Sequence, residues 1–314
     1  MNAAQGYLDL QVNGYAGADF NSDDLTSESL HAACDQLRSE NVAGILATVI
    51  TDAPSAMARR LSRIVQLRRA DPLAEELILG VHIEGPFLNE QPGYIGAHSA
   101  AAAVPADWDV MTRLLDAADG LTRIVTLAPE RDAGNRVVRR LADRGVVVSA
   151  GHCDPSRDQL AGAIDAGLSM FTHLGNACPT QMNRHDNIIQ RVLSLSDRLV
   201  ISFIADGVHL PSYVLANYLR CVGLDHAVVV TDAISAAGLG PGTYALGNQT
   251  VVVDERLTTW SADRTHLMGS AVTMNQAVHV LQHEVGLAPS EVRQLVVENP
   301  RRLLGDQRDG DPPA

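Results

Sequence analysis

Apolar residues along this chain fall in short, nearly continuous runs separated by stretches of helical periodicity. The runs occupy 7–13, 44–50, 77–84, 122–128, 146–151, 169–174, 199–205 and 226–231, each rich in Val, Ile or Leu. Several are apolar nearly throughout instead of alternating, the pattern of parallel strands covered on both faces. Between them, 27–41 opens with Thr26 and Ser27 ahead of Glu28, a helix start. In 55–70, Met57, Leu61, Ile64, Val65 and Leu67 share one face. Arg59, Arg60, Arg63, Arg68 and Arg69 largely take the other, which reads as a solvated face. Residues 106–118, 134–144, 157–166, 187–196 and 212–222 supply further helices.

Eight strand–helix alternations predict an α/β fold of the (β/α)8 TIM barrel type. An open doubly wound sheet is the alternative, weakened because no G-x-G-x-x-G follows the first strand. Residues 242–260 read as a β-hairpin inserted after the eighth strand, and 270–284 and 289–304 as closing helices. The expected organisation is one barrel over 1–305, with a disordered tail at 306–314 ending in Pro312-Pro313.

Composition narrows the function. The chain has 314 residues, 24 basic against 37 acidic, for a net charge of −13. That excess argues against nucleic acid and against a polybasic membrane attachment, since both need clustered positive charge. A small anion held by a few local donors stays compatible with it. No stretch reaches the roughly 20 apolar residues of a membrane span, and residues 1–5 show no basic segment leading an apolar run, so no signal peptide is expected. Cys34, Cys153, Cys178 and Cys221 form no C-x-x-C, which suits free thiols in a reducing, cytoplasmic setting.

Barrel enzymes collect their chemistry at the C-terminal ends of strands. Polar, metal-competent residues fall there repeatedly: Gln11 and Asn13 at the end of strand one, His82 and Glu84 on strand three, His152 after strand five. His173 and Asn176 belong to strand six, Asp206 and His209 follow strand seven, and Asp232 ends strand eight. A single such histidine is an ordinary hydrogen-bonded core residue. Six polar ends on one rim are costly to bury unless they pair or bind a metal. Glu84, His152 and His173 offer one oxygen and two nitrogens, a catalytic zinc set with room for water. Asp232 is the natural base for such a water, with a helix N-cap as its competing assignment. His82 lies two residues before Glu84 and so points the same way, either to orient a ligand or as a satisfied core residue.

Six segments, in order, carry a family resemblance: Gly80-Val-His-Ile-Glu-Gly-Pro-Phe-Leu-Asn89, Val148-Ser-Ala-Gly-His152, Thr172-His-Leu-Gly-Asn-Ala177, Ala205-Asp-Gly-Val-His209, Val230-Thr-Asp-Ala233 and Met268-Gly-Ser-Ala-Val-Thr-Met274. From Asp9 to about Leu304 the chain resembles the N-acetylglucosamine-6-phosphate deacetylases of the amidohydrolase superfamily. The resemblance implies metal-dependent hydrolysis of the N-acetyl amide of this amino-sugar phosphate to glucosamine-6-phosphate and acetate. It implies one divalent metal on Glu84, His152 and His173, zinc first, with iron or another divalent ion the alternative. Asp232 would activate the metal-bound water and then protonate the amine, and His98 would polarise the substrate carbonyl. Asn176, Ala177, Arg184 and His209 would hold the sugar phosphate, Arg184 through the guanidinium fork that suits phosphate. A homodimer is implied as well.

The chain departs from the family in three places. Gln11-Val-Asn13 replaces the superfamily's H-x-H at the end of strand one, and amides are poor zinc ligands, which favours a single metal with Gln11 and Asn13 in supporting roles. The usual flanking β-sandwich has no evident strands, so most or all of it is expected to be lacking. Residues 181–187 keep the arginine in altered surroundings. That loop motivates a second hypothesis, an amidohydrolase for another N-acylated sugar or a cyclic amide. The missing β-domain motivates a third, a non-catalytic sugar-phosphate-binding barrel, although such a protein would need no base at Asp232.

Overall fold

The computed structural model describes residues 6–305. The expected tail at 306–314 and the start at 1–5 lie outside the described residues. The chain enters through β1 (Tyr7–Val12), followed by a short antiparallel pair, β2 (Gly14–Tyr15) and β3 (Ala18–Asp19). Seven more parallel strands follow: β4 (Val42–Ile50), β5 (Ile78–Glu84), β6 (Thr122–Leu127), β7 (Val147–Ala150), β8 (Leu168–Phe171), β9 (Val200–Ile204) and β10 (Ala227–Val230). The parallel strands lie side by side in chain order, without the reversal that a doubly wound sheet requires. The seam closes through a parallel bridge between Val12 and Ala233, where the Asn13 amide donates to the Ala233 carbonyl at 2.7 Å. Just below, the buried Asp9 carboxylate accepts from the Thr231 backbone N–H at 3.1 Å and from the Thr231 hydroxyl. The fold is a (β/α)8 barrel.

Helix starts follow the local chemistry. Thr26 caps Ser27–Ser39 as expected, with Ser29 rather than Glu28 closing the capping box. Ser156 with Gln159, and Thr273 with Gln276, do the same for Arg157–Asp165 and Met274–Val280. The helix expected over 134–144 begins only at Arg136, because Gly134 and Asn135 take left-handed backbone angles. Asp132 caps it instead, accepting from the backbones of Arg136, Val137 and Val138. A helix that the sequence pattern did not reveal, Pro72–Leu77, starts at the Asp71 cap with Pro72 in its first turn. The arginine-rich helix Pro54–Ala70 buries Met57, Leu61, Ile64, Val65 and Leu67 as expected. Arg60 departs from the solvated face: it is 4% exposed, with its guanidinium 2.9 Å from Asp52.

The inserted hairpin is larger than expected. β11 (Gly242–Leu246) and β12 (Gln249–Val253) pair antiparallel, and β13 (Thr259–Ser261) adds a third strand. Leu246, Val251 and Val253 pack on Ile50, Ile234 and Met268, which seats this sheet beside the barrel mouth. Leu10, Leu46, Ile124, Met170, Ile204, Val228 and Val230 form an apolar cluster inside the barrel. Thr126, two residues beyond Ile124 on β6, and Thr172, the residue just past β8, begin a polar layer. There His82 Nε2, Thr126, Thr172 and Ser149 make one hydrogen-bonded row, so these buried groups are satisfied. Among the described residues no helix is long and apolar enough to cross a membrane.

Candidate active site

The residues above the polar layer converge on one cavity of about 650 Å³ at the C-terminal end of the barrel. Glu84 is the last residue of β5, and His152 and Asp232 each lie two residues beyond their strands. His173 also lies two residues past β8, which ends at Phe171 rather than at 174. Asn176 likewise sits in the following loop and not on the strand. The break has a local cause. His152, His173 and Asp232 adopt φ of 51°, 36° and 52°, a left-handed conformation that costs non-glycine residues energy and clusters at functional sites. All three side chains line the cavity.

One oxygen of Glu84 is the focus. Its Oε1 lies 3.1 Å from His152 Nε2, 3.2 Å from His173 Nε2 and 3.8 Å from His98 Nε2. His98 arrives from the loop after β5 and stands 3.0 Å, nitrogen to nitrogen, from His152. Hydrogen bonds assign the tautomers. His152 Nδ1 donates to the Tyr94 carbonyl at 2.8 Å, so its Nε2 is a bare lone pair. Burial, and next the neighbouring His98, push the His152 pKa down to about 4. His98 Nδ1 accepts from the Thr51 N–H at 3.3 Å, so its Nε2 carries the proton.

A lone pair on His152 therefore faces a carboxylate oxygen at hydrogen-bond distance. Burial alone would raise the Glu84 pKa, but the three imidazoles hold it well below the carboxylate range. Burial likewise opposes charge on His173, yet the Glu84 carboxylate raises its pKa overall. Acceptors crowded this closely call for a cation between them. The oxygen and nitrogen donors match a divalent metal. Glu84, His98 and His152 present ligand atoms all within 4.8 Å of one another. His173, expected in the ligand set, reaches the same carboxylate oxygen, whereas the protonated Nε2 of His98 suits a hydrogen-bond donor better than a ligand.

Two side-chain amides at the end of β1 contact this cluster. Gln11 donates Nε2 to the two oxygens of Glu84 at 3.3 and 3.2 Å. Asn13 donates Nδ2 to Asp232 Oδ1 at 2.7 Å. Burial, reinforced by the Glu84 charge, raises the Asp232 pKa to about 6. No helix follows Asp232 directly, so the N-cap assignment fails. Gln11 Oε1, Asn13 Oδ1 and His173 Nδ1 are buried without a protein partner, as expected where water or an ion belongs. His82 is different: its nitrogens engage the Leu10 carbonyl and Thr126, and no hydrogen bond joins it to Glu84.

Asn176, Ala177 and His209, the residues the resemblance gave to the substrate, line the cavity. Arg184 does not line it; that residue is exposed on the 181–187 loop. Sequence reasoning missed Thr265, His266 and Leu267, which border the cavity beyond β13. Their only signal was adjacency to the Met268-Gly-Ser segment, since no periodicity marks the loop.

No protein-family model matches the chain. N-acetylglucosamine-6-phosphate deacetylase of Bacillus subtilis (strain 168) is 32% identical over 305 residues, covering 96% of this chain and 74% of that protein. The enzyme of the same name from Homo sapiens is 33% identical over 314 residues, with 96% and 74% covered. Among solved structures, N-acetyl-D-glucosamine-6-phosphate deacetylase from Mycobacterium smegmatis, as a variant in complex with N-acetyl-D-glucosamine-6-phosphate, superposes with a TM-score of 0.85. It is 30% identical and covers 96% of this chain and 77% of its own. The chain therefore belongs to the N-acetylglucosamine-6-phosphate deacetylase family of metal-dependent amide hydrolases.

Proposed function

We propose that this protein hydrolyses the N-acetyl amide of N-acetylglucosamine-6-phosphate, giving acetate and glucosamine-6-phosphate. The observation that carries the reading is the convergence, in one cavity, of the Glu84–histidine cluster with Asp232. In this reading Glu84, His152 and His173 hold one divalent ion, with zinc the first candidate for a set of one carboxylate and two imidazoles. Such an ion supplies Lewis acidity toward the amide carbonyl and toward water.

This chain's residues do the rest. Asp232 Oδ1 is engaged by Asn13, which leaves Oδ2 to take a proton from the attacking water. The same oxygen returns that proton to the nitrogen as the C–N bond breaks, so the amine leaves neutral. His98 donates its Nε2 proton toward the carbonyl oxygen, where negative charge grows. Asn176, Ala177 and His209 receive the sugar phosphate. The unit is one barrel with its inserted sheet, cytoplasmic and homodimeric in this reading; the four free thiols support the setting, and sedimentation tests the assembly.

The position of Arg184 favours keeping a second substrate class, since no arginine among the described residues borders the cavity. Acetate release from N-acetylglucosamine-6-phosphate, unphosphorylated N-acetylglucosamine and N-acetylgalactosamine-6-phosphate decides between them. A preference for the first of at least about tenfold in kcat/KM, the size of one modest polar contact, is expected. Equal turnover with and without the phosphate would overturn the substrate assignment and leave a broader N-acyl sugar hydrolase.

A further inference from the structure

The cavity expected to take an anion has few cations. The chain contains no lysine, and among the described residues no arginine lines the cavity. Five histidines do: His98, His152, His173, His209 and His266. The first three face Glu84. His266 is an exposed rim residue whose Nδ1 meets the neighbouring Thr265 hydroxyl at 3.0 Å. His209 is the buried imidazole left over, its side chain 8% exposed.

His209 has a dedicated partner. Asp206 follows β9 by two residues, and its side chain is 9% exposed. Gly207, at φ 72°, turns the chain tightly enough for the carboxylate to meet residues just downstream. Asp206 Oδ1 accepts from the backbone N–H groups of Val208 and His209 at 2.9 and 2.8 Å. Its Oδ2 lies 2.6 Å from His209 Nδ1. Burial opposes ionisation of Asp206, but the His209 contact and the two backbone donors hold its pKa below the usual value. An ionised carboxylate only accepts, so His209 Nδ1 carries a proton. None of the hydrogen bonds among the described residues uses His209 Nε2, the nitrogen left for the cavity.

We propose that Asp206 is a positioning residue for substrate binding: it ties down the Nδ1 proton of His209 and so fixes the ring with Nε2 toward the anionic end of the substrate. The arrangement follows the logic of a buried carboxylate behind a catalytic histidine, applied here to recognition. Asp232 lines the same cavity as His209, while Arg256 and His279 border a neighbouring cavity of about 190 Å³ together with Asp206. The inference rests on the sugar-phosphate reading above.

The test uses metal-loaded protein and Asp206→Asn. The variant keeps an oxygen for the two backbone donors but turns an amide N–H toward His209 Nδ1. For N-acetylglucosamine-6-phosphate, KM should rise about 10–100-fold, the range of one charge-assisted hydrogen bond, and the loss should fall on KM rather than on kcat. KM for unphosphorylated N-acetylglucosamine should stay within about threefold, and bound metal should match the native protein. His209→Ala should show the same KM defect, with no further loss in the double variant. Nitrogen-15 spectra of labelled histidine should show His209 losing its Nδ1 proton in Asp206→Asn. An unchanged KM with unchanged nitrogen signals, or a defect seated in kcat or metal content, overturns the proposal. If the native protein shows no preference for the phosphate, the substrate reading fails instead, and the nitrogen spectra still decide whether Asp206 sets the protonation of His209.

Discussion

Gln11 touches both oxygens of Glu84 with a single amide nitrogen, at 3.3 and 3.2 Å. The contact depends on an irregularity in β1. Between Asp9 and Val12 that strand advances three residues while its partner advances two, from Ile45 to Ala47. A bulge of this kind re-aims a side chain, and here it sends Gln11 to the carboxylate while Leu10 joins the apolar interior. Residues that orient a metal ligand in this way influence affinity by about 10–100-fold. Gln11→Ala should therefore weaken divalent-metal binding by that factor while leaving the fold intact. Competition against a chelator measures it, and native affinity in the variant would remove Gln11 from the metal centre.

Asp232→Asn separates chemistry from metal binding. Asp232 lies outside the proposed ligand set and accepts from Asn13. Loss of a general base costs about 10²–10⁴ in rate. The variant should lose kcat to that degree, with metal content unchanged by elemental analysis. A loss well below that range would show that another group moves the proton.

Gly96 is held open by His152. At φ 56° a Cβ on residue 96 would lie 3.0 Å from His152 Cε1. Gly96→Ala should cost about 1–2 kcal/mol for the left-handed backbone alone. It should also displace the ring that donates to the Tyr94 carbonyl, lowering metal affinity. Chemical denaturation with metal titration checks both effects, and a variant with native stability and affinity would contradict the packing described.

Asp9 makes stability depend on pH. Burial raises its pKa from 3.8 to about 7, against the opposing hydrogen bonds from Thr231 and Gln11. The folded protein thus holds this proton more tightly than the unfolded chain does. The contribution of Asp9 is full below about pH 4 and is lost as pH rises through about 7. Asp9→Asn retains an acceptor for the backbone donors and lets Thr231 accept from the new amide. Its stability relative to the native protein should therefore improve from about pH 5 to about pH 8, by urea denaturation. A constant difference across that range would mean that Asp9 is ionised in the fold.

The eight buried strands, the class of fold and the residues able to carry the chemistry were all legible in the chain before any contact was known. Apolar runs need no partner to be read, because a strand covered on both faces must be apolar along its length, as Ala227–Val230 is. Glu84, His152, His173 and Asp232 were legible for the complementary reason: a charged or imidazole group ending such a run is too costly to bury without a purpose. Cap residues with a local partner, such as Thr26, were legible too. Features without a local signal came from packing between distant segments. The left-handed turns that follow β7 and β8 carry no motif that announces them, although histidine enters this conformation more readily than most residues do. The bulge that gives Gln11 to Glu84 exists only once β1 pairs with β4. The placement of Arg184 outside the cavity, and of His266 on its rim, follows from loop packing and the inserted sheet. Strand identity depends on composition over a few residues, whereas which nitrogen faces which oxygen depends on segments far apart in the chain. That is why the ligand candidates could be read from the chain, and the tautomers of His98 and His152 only from their contacts.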